Sequence, residues 1–148
     1  MTNYLIDVNV LQQFRPGGNA NVAKWKATID DTQIRISVLT IFEMKRGAYA
    51  KGRGTPKCEK LLAAIETLER AFAFAILPLG PDAASKWAET VQGASKDSID
   101  RAKVAVAQVH NLTIVTRNIE DFVGLGVRTL NPFDDPPTEI EPTTSRTI

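Results

Sequence analysis

A chain of 148 residues, 43% hydrophobic and 24% charged, has the composition of a folded domain and the length to bury a core without covalent staples. Its single cysteine, Cys58, excludes an internal disulfide and a cysteine-built zinc site, and no apolar run approaches the roughly 18 residues of a membrane span. A net charge of +1 excludes a general polycation; with no signal-like N-terminus and one unpaired cysteine, a cytoplasmic protein is expected.

Residues 3–6 are apolar and β-capable, and Asp7 follows them directly. Val10 to Phe14 suggests a helix that stops at Arg15-Pro16-Gly17-Gly18. Asn19 is placed to cap a second helix running through Val22, Ala23 and Trp25 to Ala27. The stretch "IRISVLT", 34–40, alternates and is rich in branched residues, which predicts a strand. Thr40 and Glu43 then have the spacing of a capping box. "GRGTP" breaks the chain, and Pro56 to Phe74 reads as a long helix with Leu61, Leu62, Ile65, Leu68 and Phe72 at helical spacing.

"FAILPL", 74–79, predicts a third strand, and Pro81 opens a helix to Gln92. A loop at 93–96 precedes a helix from Ser98 to His110, with Asp97 as its cap and Asn111 as its stop. "LTIVT" (112–116) is a strand, "NIEDF" (118–122) a single helical turn, and "VRTL" (127–130) a last strand. From Asn131 the text turns Pro-rich. A domain of residues 1–133 followed by an irregular, disordered tail of 134–148 is expected. Strands alternating with helices argue for an α/β fold, a mostly parallel sheet with helices on both faces. Sites in such folds lie off the carboxyl ends of the strands.

Acidic and amide residues recur at those junctions: Asp7 after strand one, Glu43 after strand two, Asp100 in the first turn of a late helix, and Asn118 with Asp121 after "LTIVT". Each has a local explanation. Asp7 could cap a helix, Glu43 close a capping box, Asp100 favour a helix dipole, and Asn118 and Asp121 share cap spacing. As a set, converging carboxylates repel one another, and a hard divalent cation relieves the repulsion while neutralising charge on a phosphoryl group. That is the logic of a metal-dependent nuclease. Lys45, Arg46, Lys51, Arg53, Lys57 and Lys60 form a basic cluster that either attracts phosphates or is a solvated face.

Several stretches together resemble PIN-domain ribonucleases, specifically the VapC-type toxins of bacterial toxin–antitoxin pairs. "LIDVNVL" is similar to the family's "LLDTNVL", and "SVLTIFEMKRG" to its "S.iT..EL..G". "SIDRAKVAVAQVHNLTIVTRNIEDFVGLGVRTLNPF" is similar to its "..D..IAA.A..h.l.lvTrn..dF..l.v..lnPw". The likeness spans residues 2–133. It implies a three-layer PIN-like sandwich and Mg²⁺- or Mn²⁺-dependent cleavage of RNA phosphodiesters. Asp7, Glu43 and Asp100 match the first three acids, with Asp7 and Asp100 holding the metal. Asp121 is a candidate fourth acid, and Asn118 stands where many members carry Asp. Asn9 and Thr116 match polar positions near the cleft, and Lys45 and Arg46 would guide the RNA backbone. A cognate antitoxin and a homodimer are also implied.

Three residues depart from that pattern. Val8 replaces a hydroxyl residue, Asn118 replaces an acid, and Lys103 stands where an apolar residue is usual. Lys103 falls three residues after Asp100, on the same helix face. It either points outward or pairs with a carboxylate, or it reaches the cleft and takes the place of metal charge. The alternative reading is therefore a degenerate PIN-fold protein that binds RNA or antitoxin without turnover. Phosphotransfer of the haloacid-dehalogenase type needs a second Asp where Asn9 stands. Trp25 and Trp87 are read as packing residues and Cys58 as an ordinary thiol.

Overall fold

The computed structural model describes residues 1–91 and 98–143. The expected loop at 93–96 and the expected cap Asp97 lie outside the described residues. In chain order the elements are β1 (Asn3–Ile6), α1 (Val8–Leu11), α2 (Ala20–Lys26), β2 (Ile34–Ser37), α3 (Val38–Tyr49), α4 (Pro56–Ala71) and β3 (Ile76–Leu77). There follow α5 (Pro81–Thr90), α6 (Ser98–Val109), β4 (Leu112–Val115), β5 (Thr129–Asn131) and β6 (Thr138–Ile140). A short 3₁₀ turn, Ile119–Phe122, follows β4.

The sheet has six strands in the order β3-β2-β1-β4-β5-β6. All neighbours are parallel except β5 and β6. Central β1 pairs with β4 over its whole length, Asn3 opposite Leu112 through Ile6 opposite Val115. Alternate residues of a strand face opposite sides. Leu5 and Ile114 accordingly join a core with Ala102 and Val106 of α6 and Ala83 of α5. Ile6 and Val115 join the other core, with Val10 of α1, Val22 and Trp25 of α2, and Ile65 of α4. This is the three-layer, mostly parallel α/β sandwich expected. Among the described residues, no helix is long and apolar enough to cross a membrane.

Several boundaries differ from the sequence reading. β2 ends at Ser37, whose buried side chain accepts from Leu39 N at 3.0 Å and caps α3. Val38, Leu39 and Thr40 are therefore helical, and Thr40 is a buried interior residue, so the Thr40–Glu43 capping box does not form. Branched residues that favour strands are overridden here by a serine cap that releases the chain into a helix. α1 begins two residues earlier than expected because Asp7 caps it. α4 ends at Ala71, and the third strand shrinks to two residues. Asn111 stops α6 with φ at 53°, a left-handed conformation that asparagine tolerates.

The irregular, disordered tail expected over 134–148 is corrected for part of its length, residues 144–148 lying outside the described residues. Thr138–Ile140 add an antiparallel strand to β5, with Leu130 opposite Glu139. Lys24 meets Asp135 at 2.7 Å, and Asn21 Nδ2 donates to the Phe133 carbonyl at 2.8 Å. The segment has little apolar content to signal order. What holds it is the open backbone edge of β5, whose N–H and C=O groups need partners.

Candidate active site

Asp7 ends the central strand. Its N–H donates to Val115 O at 2.9 Å, so the residue leaves the sheet at the carboxyl end of β1, beside the end of β4. Its carboxylate has three donors. Oδ1 accepts from Val8 N at 2.9 Å and from Lys103 Nζ at 2.7 Å, and Oδ2 accepts from Thr116 Oγ1 at 2.8 Å. Asp7 is thus both the cap of α1 and the centre of a polar cluster.

Thr116 is fully buried and works as a relay. Its hydroxyl donates to Asp7 and accepts from Asn118 N at 3.1 Å and from Asn9 Nδ2 at 3.4 Å. Asn9 Oδ1 in turn accepts from Arg117 N at 3.0 Å. Asn9 and Thr116 therefore lock the chain leaving β4 against the start of α1. Asn118 begins the 3₁₀ turn without capping it through its side chain, and Asp121 lies in that turn.

Lys103 reaches the cluster from α6. Its side chain is 4% exposed and makes ion pairs with both Asp7 and Glu43 of α3. Burial opposes its ammonium, but the charge and hydrogen bond of Asp7, with Glu43, outweigh burial and raise its pKa. It stays charged. Asp100, one turn earlier on α6, is half-buried, and its pKa is raised to about 6. Burial is the main cause; Lys103 opposes it, and the charges of Asp7, Asp121 and Glu43 add to it. Asp7, Asp121 and Glu43 thus lie within electrostatic reach of Asp100. Lys103 does not point outward; it pairs with the carboxylates of Asp7 and Glu43.

The basic cluster is less free than its sequence suggests. Lys45 pairs with Glu69 of α4 at 2.9 Å, and the Arg46 guanidinium lies 5.1 Å from the centre of the Phe42 ring. Both help join or cover the α3 face. Sequence reasoning missed a groove of about 530 Å³ beside the acids, lined by Val8, Glu43, Met44, Leu61, Ile65 and Leu68. Its walls come from three separate helices, so no local stretch announces it. Cys58 is a buried free thiol, and Trp25 is a core residue, its ring meeting Tyr4 edge-on at 5.3 Å.

In donor type the acids fit a hard divalent cation, since all are oxygen ligands gathered where positive charge is needed. Among the described residues, however, no group of three or more His, Cys, Asp or Glu side chains is disposed to hold a metal ion as the side chains stand. The ammonium of Lys103 engages two of the four acids. The positive charge beside Asp7 and Glu43 is that of Lys103.

A mostly parallel sheet between helices, with Asp7 at the carboxyl end of its central strand, gives the fold class. The PIN domain family matches residues 4–123, and the chain belongs to that family. It is similar to the toxin FitB of Neisseria gonorrhoeae strain ATCC 700825 / FA 1090, with 29% identity over 140 residues covering 88% of this chain and 99% of FitB. The crystal structure of FitAcB from Neisseria gonorrhoeae matches with a TM-score of 0.72 at 27% identity, covering 88% of this chain and 98% of that one. A toxin–antitoxin complex from Klebsiella pneumoniae shares the fold, with a TM-score of 0.63 at 24% identity over 88% of this chain and 98% of that one.

Proposed function

We propose that this protein is the toxin of a toxin–antitoxin pair and acts as an endoribonuclease dependent on Mg²⁺ or Mn²⁺. The carrying observation is Asp7 at the carboxyl end of β1, with Asp100 in electrostatic reach of Asp7, Glu43 and Asp121. The likeness to a named toxin over nearly the whole chain supports the toxin reading. An RNA substrate suits a cytoplasmic protein.

Asp7 and Asp100 would hold the divalent ion. When bound, it supplies the positive charge that neutralises a phosphodiester gaining negative charge as water attacks. Thr116 fixes the rotation of the Asp7 carboxylate through Oδ2. Glu43 and Asp121 orient the attacking water and accept its proton, while Asn118 steadies the chain beside them. Water adds to phosphorus, the P–O bond to the leaving ribose oxygen breaks, and that oxygen takes up the proton the water gave up. Asn9 and Thr116 shape the substrate side of the cleft, and the exposed part of the Lys45–Lys60 cluster draws in the backbone, with Lys45 and Arg46 at its near end. The apolar groove that shares Glu43 with the cleft suits a segment of the antitoxin, and a homodimer is the assembly proposed.

A second reading is favoured by Lys103 itself: a PIN-fold protein that binds RNA or antitoxin but does not turn over, because an ammonium is held on Asp7 and Glu43. One experiment separates the two. Purified, antitoxin-free protein is incubated with total cellular RNA, with chelator, Mg²⁺ or Mn²⁺, beside Asp7→Asn. Discrete metal-dependent fragments absent in the variant are expected. Intact RNA in every lane, from folded protein, would sink the nuclease reading and leave the second.

A further inference from the structure

We propose that Lys103 is the resident cation of the acid cluster, an internal ammonium that holds Asp7 and Glu43 together and must be displaced before a divalent ion can use them. The displacement half of this rests on the metal-dependent reading above. The residence half rests on geometry alone.

The Asp7 carboxylate accepts three hydrogen bonds, and their donors are not equivalent. The Val8 N–H belongs to the backbone of the first turn of α1, and the Thr116 hydroxyl sits on a short, fully buried side chain just after β4. A carboxylate oxygen accepts about two hydrogen bonds. Val8 N and Lys103 Nζ therefore fill Oδ1, and Lys103 is the donor on a flexible four-carbon stem. The same ammonium is paired with Glu43, which comes from a different helix. One buried positive charge thus ties α6 to the end of β1 and to α3.

Four carboxylates drawn together at a sheet edge need a countercharge to remain folded. An apolar side chain at position 103 would leave that task to a bound metal. Lysine does it internally, so the metal-free cluster is already neutralised in part. A divalent ion at Asp7 would stand beside the Lys103 ammonium, and repulsion between the two cations makes its entry an exchange in which the ammonium leaves Oδ1. Metal affinity is lowered by whatever the lysine pairs contribute.

The test needs no nuclease assay. Wild type, Lys103→Met and the double variant Asp7→Asn/Lys103→Met are melted in chelator and in Mn²⁺, and Mn²⁺ binding is measured by calorimetry. Lys103→Met keeps the stem and removes the charge. It is expected to melt roughly 10 °C lower than wild type in chelator, from unpaired buried carboxylates. Mn²⁺ should restore most of that loss, with binding roughly tenfold tighter or more than wild type. The double variant should recover metal-free stability with no gain in Mn²⁺ binding.

Equal melting and equal Mn²⁺ affinity for wild type and Lys103→Met would overturn the proposal. If Lys103→Met does not fold, the double variant decides: folded, it upholds residence; unfolded, it overturns it. If Asp7→Asn rescues the melting temperature and Mn²⁺ does not, Lys103 stands as the resident cation, and it is the metal-binding reading that falls.

Discussion

Lys103 Nζ lies 2.7 Å from Asp7 Oδ1, with the two side chains 4% and 11% exposed. The pair joins positions 96 residues apart and closes the first strand onto the late helix. Asp7→Asn keeps the shape but leaves Lys103 with Glu43 as its acidic partner. A loss of about 2 kcal/mol of unfolding free energy is expected, less than a fully unpaired buried charge would cost. Urea denaturation at neutral pH in chelator measures it. An unchanged midpoint would mean that the pair contributes nothing.

Thr116 satisfies three groups with one hydroxyl. Thr116→Val is close in shape but leaves the Asn118 N–H and one side of Asp7 without that partner. Destabilisation by roughly 1–3 kcal/mol is expected, with Thr116→Ser close to wild type. A chevron or equilibrium denaturation series distinguishes them; equal losses in both variants would instead indicate that the methyl group matters.

Asp100 provides a pH signature. Its pKa is raised in the folded state to about 6 from an ordinary 3.8, so the folded protein holds that proton more tightly than the unfolded chain. The favourable contribution is complete below the ordinary value and lost as pH rises through about 6. Asp100→Asn, which cannot ionise, should therefore gain stability relative to wild type as pH climbs from 4 to 7. Paired melts in chelator across that range give the difference directly, and a constant offset would contradict the raised pKa.

Lys45 and Arg46 test the RNA path. The Lys45–Glu69 pair is half-exposed, so Lys45→Gln should cost only ~0–1 kcal/mol of stability. If the cluster tracks phosphates, Lys45→Gln with Arg46→Gln should weaken RNA binding and reduce the slope of log K against log salt by about one per lost contact. Fluorescence anisotropy on a labelled RNA across salt concentrations reads both. An unaltered slope would remove these residues from the interface.

Much of the fold was legible locally. The alternation of short apolar runs with amphipathic stretches gave the α/β order, and Pro56, Pro81, Asn19 and Asn111 marked helix ends where they were expected. Two of the errors are alike. Val38 to Thr40 favour strands by side-chain type, yet a buried Ser37 turns them into a helix. Thr138 to Ile140 lack the apolar pattern of a strand, yet the free edge of β5 recruits them. In both places a partner distant in sequence, or a single cap, outweighs local preference.

By itself the sequence determined which residues could matter: four acids after strands or in a helix's first turn, a threonine after β4, and a lysine one helical turn from Asp100. Residue type and spacing decide that much, because a carboxylate at the end of an apolar strand is costly unless it has a use. Only the tertiary structure decided how those residues divide the work. Whether Lys103 faced water or the acids depended on α6 packing against the sheet, which buries the stem and leaves its ammonium next to Asp7 and Glu43. Spacing along one helix sets the face a side chain occupies; what stands opposite that face is set by the other elements of the fold.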